Sequence, residues 1–170
     1  MNVQRRMLGA WAMSLAVLLP ASAWAQSAAT FSVRSMTPET AFAAARAALD
    51  HCRKQGWQVA VAVVDRSGLP QVMLRDRFAG AHTVSAATDK AWTAASFKMR
   101  TATLAVETQA GKPMSGLRGH LRVLAAGGGV PIEAAGALLG AIGVSGAPGG
   151  DADDACADAG IQAVRGELEF

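Results

Sequence analysis

The chain has 170 residues, 51% hydrophobic and 5% aromatic, with a net charge of +3. That is enough for one domain with its own core. Two of its basic residues stand in the first six positions, so the overall charge says little about partners.

The N-terminus carries Arg5 and Arg6, then an apolar run from Met7 to Leu19, then Ala23-Trp24-Ala25. A basic start, a hydrophobic stretch and an Ala-x-Ala site in that order read as a cleavable secretory signal peptide over residues 1–25. The apolar run falls short of the ~20 residues a membrane span needs. The Arg5-Arg6 pair also admits a twin-arginine signal, but the flanking residues do not follow that pattern. Removing the leader leaves 14 basic against 13 acidic residues, a net charge of +1. A nucleic-acid-binding reading therefore has no electrostatic footing. The mature chain has no second stretch long enough to span a bilayer and is expected to be periplasmic or secreted, without a membrane span.

Residues 26–36 are small and polar and read as a flexible leader, and 37–170 as the folded domain. Thr37-Pro38-Glu39 supplies an N-cap, a proline at the first helical position and an early acid. The alanine-rich run that follows predicts a helix to about Gln55, stopped by Gly56. Trp57 to Asp65 is rich in valine and predicts a strand. Asp65-Arg66-Ser67-Gly68 turns the chain into a second strand over Pro70 to Asp76. From Thr83 to Phe97 the period is helical, with Val84, Ala87, Ala91 and Ala95 on one face and Asp89 and Lys90 assigned to solvent. A short helix over Thr101 to Gln109 follows, then a glycine-interrupted loop to His120. Leu121 to Ala126 reads as a third strand. Gly127-Gly128-Gly129 leads through Val130-Pro131-Ile132 into Leu138 to Val144, a further strand pair. Asp151 is placed as N-cap of a last helix, with Asp153 and Asp154 favouring its dipole. Strands in hairpin units between helices predict an α+β domain with an antiparallel sheet.

Cys52 and Cys156 are the two cysteines, and neither belongs to a C-x-x-C arrangement. An oxidising compartment favours a disulfide closing a loop of about a hundred residues, and a pair of buried thiols is the alternative. If the first and last helices are neighbours, the two come within reach.

Val61-Ala-Val-Val-Asp65-Arg-Ser-Gly68, Lys90-Ala-Trp-Thr-Ala94, Gly127-Gly-Gly-Val-Pro131-Ile132, Gly140-Ala-Ile-Gly143-Val-Ser-Gly146 and Asp151-x-Asp153-Asp154-x-Cys156 occur in register. Together these motifs resemble the GlcG/HbpS family, over about residues 38 to 165. The resemblance implies a profilin-like α/β/α sandwich with a five-stranded antiparallel sheet. It implies haem as cofactor, or a small organic acid such as glycolate as ligand, and a homo-oligomer.

Three histidines are available. His51, at the end of the first helix, reads as a dipole-favoured cation. His82 stands near Arg75 and Arg77, whose guanidinium groups suit ligand carboxylates such as haem propionates. His120 lies in Met114-Ser-Gly-Leu-Arg118-Gly-His120-Leu-Arg122, and imidazole is a common axial ligand of haem iron. His120 is the candidate iron ligand, with His82, Arg75, Arg77 and Arg118 as further haem-binding candidates and Met114 as a weaker axial one. This segment departs from the family, which has a proline-glycine turn where Leu121-Arg122 stand. The glycine run lacks the Lys-Ser/Thr of a phosphate loop, and its glycines are assigned to tight turns and close backbone approach. No zinc spacing, serine nucleophile set or acid/base dyad is present. The sequence reads as an exported haem-binding protein (carrier, scavenger or sensor accessory) rather than an enzyme. The alternatives are an organic-acid-binding accessory protein or enzyme, and a structural oligomeric module.

Overall fold

Thr37 begins the first helix as its sequence requires: its side-chain oxygen accepts the Thr40 N–H at 3.2 Å, and Pro38 occupies the first helical position. In this computed structural model, which describes residues 29–168, the chain from Val33 onward forms one compact unit. The signal-peptide assignment over 1–25 lies outside the described residues. The elements are α1 (Pro38–Lys54), β1 (Ala60–Asp65), β2 (Pro70–Arg75), α2 (His82–Phe97), α3 (Thr101–Glu107), a 3-10 turn over Ser115–Gly119, β3 (Gly129–Ala134), β4 (Ala137–Ser145) and α4 (Gly150–Leu168). Among the described residues, no helix is long and apolar enough to cross a membrane.

The four strands form one antiparallel sheet in the order β2-β1-β4-β3. β1 is central, and alternate residues point to opposite faces. Val59, Val61 and Val63 pack with Ile132, Ile142 and Val144 against α1 and α4. Ala60, Ala62 and Val64 pack with Ala141 against Ala87, Ala91, Ala94 and Ala95 of α2. The two faces therefore differ in side-chain size. The α2 face is nearly all alanine, so that helix lies very close to the sheet. A Cβ on Gly143 would overlap the Ala87 carbonyl oxygen and sit 2.6 Å from the Ala91 nitrogen.

Two expectations need correction. The sheet has four strands, not five, because Leu121–Ala126 is not a strand. Its backbone groups are paired elsewhere: the Val123 N–H donates to the His120 carbonyl and the Ala126 N–H to that of Leu124. The buried Thr93 hydroxyl of α2 donates to the Arg122 carbonyl at 3.2 Å and accepts the Leu124 N–H at 3.0 Å. With these groups engaged, the segment straps onto α2 and has no ladder to join. Asp151 is likewise not the N-cap of α4; the helix begins at Gly150, and the Asp153 N–H reaches back to the Gly149 carbonyl.

α1 and α4 lie together on one face. They bring Cys52 and Cys156 into disulfide geometry, with sulfurs 2.02 Å apart and Cα atoms 5.6 Å apart. At the end of α1, the Arg53 guanidinium makes two hydrogen bonds to the buried Asp76 carboxylate, at 2.8 and 2.9 Å. Those bonds hold the Asp76 carboxyl at about 2, below its ordinary 3.8, against the opposing effect of burial. A depressed acid contributes stability above its unfolded value and loses that contribution as pH falls through its folded value. The stability difference between the parent and Asp76→Asn is therefore expected to shrink between about pH 4 and pH 2, measured by urea midpoints at each pH. A difference that stays constant over that window would show that the Arg53 pairing does not act through charge.

Candidate functional site

The residues that sequence reasoning nominated fall into two groups. Arg75, Arg77 and His82 surround the β2–α2 connection, whereas Arg118 and His120 lie in the segment before β3. His82 opens α2 and Trp92 lies ten residues further on, about 15 Å along the helix. His120 stacks on Trp92, so the two groups belong to different stretches of α2.

In the first group the backbone is pinned from below. Asp76 holds Arg53 and accepts the Arg77 N–H at 2.8 Å. Arg75 gives its guanidinium to the Ala79 carbonyl through two bonds, at 2.9 and 2.7 Å. Those contacts leave Arg77, Phe78 and His82 exposed, but they engage Arg75 in holding its own loop. Arg118 is engaged in the same way: it donates to the Thr108 and Ala105 carbonyls at 2.8 and 2.9 Å, covering the C-terminal end of α3.

The second group is denser and is built on three residues of α2. Asp89, Trp92 and Thr93 are spaced i, i+3 and i+4, so they share one stripe of the helix. Thr93 fixes the backbone of Arg122 and Leu124, as described above. The His120 ring stacks on the Trp92 indole, with centroids 5.6 Å apart and planes inclined by 12°. The Arg122 guanidinium lies 4.6 Å from the Trp92 ring centroid, within cation–π range, and its Nε donates to Asp89 at 3.3 Å. The Trp92 indole is braced by the β1–β2 turn, since a Cβ on Gly68 would sit 2.7 Å from its Cδ1. Leu121, between His120 and Arg122, is fully exposed. The outcome is an imidazole, an apolar side chain and a cation on consecutive residues, held by a helix rather than by a free loop.

Beneath this surface lies a buried ion pair that the sequence reading missed. Lys90, expected at the solvent, is only 5% exposed. Its ammonium donates to Asp153 of α4 at 2.7 Å and to the Val144 carbonyl at 3.0 Å. The other oxygen of Asp153 accepts the Ala147 N–H at 3.0 Å. Asp154 accepts the Gly128 N–H at 2.7 Å. The acids assigned to the helix dipole thus hold Lys90 and the glycine run, and burial pushes both carboxyls above the usual range, against the bonds they accept. Gly128 has φ +114°, and a Cβ there would sit 2.5 Å from the Val144 oxygen and 2.9 Å from the Lys90 ammonium. The assignment of this run to close backbone approach holds.

A cleft of about 330 Å³ opens elsewhere, between the β3–β4 turn and the end of α4, lined by Glu133, Ala134, Ala135, Ile161, Arg165 and Leu168. It contains no imidazole and none of the nominated residues. Among the described residues, no group of three or more His, Cys, Asp or Glu side chains is arranged to hold a metal ion.

An antiparallel sheet covered by α1 and α4 on one side and by α2 on the other defines a mixed α+β domain, with a stacked side-chain cluster on its α2 side. The chain belongs to the HbpS-like haem degrading protein family, whose model matches residues 36–162. Among solved structures, a double Glu-to-Asp variant of HbpS from Streptomyces reticuli is 38% identical, with a TM-score of 0.75, covering 84% of this chain and 95% of that one. The Klebsiella pneumoniae protein ORFY, of the DUF336 family, is 26% identical with a TM-score of 0.79, covering 82% and 97%. PduOC, solved as a heme complex, is 30% identical with a TM-score of 0.72, covering 76% and 94%. No curated protein matches the chain.

Proposed function

We propose that this protein binds haem outside the cytoplasm, as a carrier, scavenger or sensor accessory, and does so on the surface formed by His120, Leu121 and Arg122. The observation that carries the reading is the stack of His120 on Trp92, which holds an exposed imidazole beside a fully exposed leucine. Haem asks for these chemistries together: a nitrogen ligand for iron, apolar contact for the macrocycle and a cation for its propionates. The residues present fit that set. Kinship with the family and with PduOC, whose structure contains heme, supports the same ligand.

His120 would supply the imidazole nitrogen that holds the haem iron. Its Nδ1 accepts the Arg122 N–H at 3.3 Å, so the neutral ring carries its proton on Nε2. Holding iron through Nε2 would require the ring proton on Nδ1 instead, at the cost of this long, weak bond. Trp92 keeps the ring plane fixed, and Thr93 keeps the backbone in place. Bound haem would supply iron chemistry at this surface, in keeping with a family described as haem degrading. The signal-peptide pattern of residues 1–25 and the cysteine pair support action in an oxidising compartment, and the family resemblance supports a homo-oligomer.

Titrating the mature protein with hemin is expected to give a saturable Soret shift. His120→Ala is expected to change the bound spectrum and weaken binding, while His82→Ala binds like the parent. No saturable shift would refute haem as ligand, and a His120→Ala spectrum identical to the parent's would remove His120 as ligand.

A further inference from the structure

We propose that Arg122 is the carboxylate anchor of this surface, held in position by Trp92 and Asp89. The proposal rests on the haem reading above and names the residue that selects for the ligand's acidic edge.

Two of the arginines nominated from sequence are already engaged by backbone carbonyls. Arg118 uses both Nε and an η-nitrogen on the carbonyls at the end of α3, and Arg75 does the same on Ala79. Their forks are occupied by backbone oxygen. Arg122 differs. Of its five N–H groups, the one hydrogen bond among the described residues is from Nε to Asp89, at 3.3 Å. Its side chain is 42% exposed, and Asp89 is 32% exposed. The η-nitrogens therefore remain for a ligand.

Geometry also sets how the fork is held. A guanidinium is planar, and the indole face attracts its charge. At 4.6 Å from the Trp92 centroid, Arg122 has a surface to lie on, while Asp89 steers it from the Nε side. Both supporting residues belong to α2, one turn apart, so the cation is placed by a packed helix. The Arg122 backbone is fixed independently through Thr93, which accepts nothing from its side chain. A long side chain with its position fixed in advance loses less freedom on binding, which favours affinity. A carboxylate is the group that two parallel η N–H donors match, in the two-bond geometry typical of arginine.

The consequence for specificity is concrete. A planar, apolar ligand bearing carboxylates is expected to bind more tightly than the same ligand with those groups esterified, and the difference should run through Arg122. The test compares hemin with its dimethyl ester on the parent, Arg122→Met and Arg122→Lys, by absorbance titration, with circular dichroism to check that each variant is folded. Arg122→Met is expected to weaken hemin binding about ten- to a hundredfold, the scale of a lost charge-assisted bond. It should leave ester binding unchanged. Arg122→Lys should recover part of the loss, because it keeps the charge and loses the fork. Hemin binding equal to the parent's in Arg122→Met overturns the proposal and leaves the haem reading standing. So does an equal loss for hemin and ester, which would mark Arg122 as a packing residue. If neither compound binds the parent saturably, both the proposal and the haem reading fall.

Discussion

Asp153→Ala is expected to destabilise the fold by about 3–5 kcal/mol, the cost of leaving one member of a buried ion pair without its partner. Against a total of about 5–15 kcal/mol for a domain, that loss is large. The Lys90 ammonium would retain the Val144 carbonyl and lose its counter-charge, in a site so close-packed that Gly128 has no room for a side chain. Lys90→Met should cost a similar amount, because it strands the Asp153 carboxylate with only the Ala147 N–H. The double variant Lys90→Met/Asp153→Leu should lose clearly less than the sum of the two, since neither charge then needs desolvation. The direction of the Asp153 titration points the same way. Burial raises its carboxyl more than Lys90 lowers it, so the anion is held at a cost and the pair is valuable mainly because each member needs the other. Urea unfolding of the parent, both single variants and the double variant measures the coupling. A cost below about 1 kcal/mol for Asp153→Ala would show that water or relaxation supports the lone lysine.

The same pair connects stability to the surface site. Lys90 lies two residues before Trp92 on α2, and Asp153 lies on α4 across the sheet. This ion pair and the Asp154–Gly128 bond hold the glycine run that follows the His120–Leu124 segment. Losing the pair should therefore loosen the helix that carries Asp89, Trp92 and Thr93.

Much of this architecture was legible because its signals are local. Thr37-Pro38 starts α1, Gly56 follows its end, and Asp65 to Gly68 turns β1 into β2, with the Asp65 side chain accepting the Ser67 and Leu69 N–H groups at 2.8 and 2.9 Å. Leu121–Ala126 failed for a reason its composition hides. Apolar residues there suit a strand, but the partner for the Leu124 N–H and the Arg122 carbonyl is a hydroxyl on a helix about thirty residues earlier. Lys90 was misplaced although a signal existed. It stands three residues after Ala87 and four before Ala94, on the buried stripe itself, where a charge requires a partner. A helical face defined by Val84, Ala87, Ala91 and Ala95 alone leaves the lysine at solvent. His120 could be nominated from its chemistry alone. Its partners Trp92 and Arg122 could not be paired from spacing, because only the strap across α2 makes them neighbours.

Replacing both cysteines, Cys52→Ser/Cys156→Ser, is expected to lower stability by about 2–4 kcal/mol. The cysteines are 104 residues apart in sequence, so the bond closes a loop that includes the whole sheet and removes much of the unfolded chain's freedom. The loop-entropy rule alone gives close to 5 kcal/mol for about a hundred residues, and measured bonds usually fall below it. Both cysteines are fully buried in the α1–α4 layer, with Ala48, Leu49 and Ala157 in the same core. The serine hydroxyls would enter an apolar setting and add to the loss, so reduction of the unmodified protein is the cleaner measurement. Intact mass before and after alkylation reports the bond, and urea midpoints of the oxidised and reduced forms report its effect. Equal midpoints would show that packing of α1 on α4 suffices without it. The bond joins helices on the face opposite α2, so hemin affinity should remain near the parent's in whatever fraction of the reduced protein stays folded. The number of hemin-binding sites should fall only in step with the loss of folded protein. A larger fall would mean that the α1–α4 layer shapes the His120 surface directly.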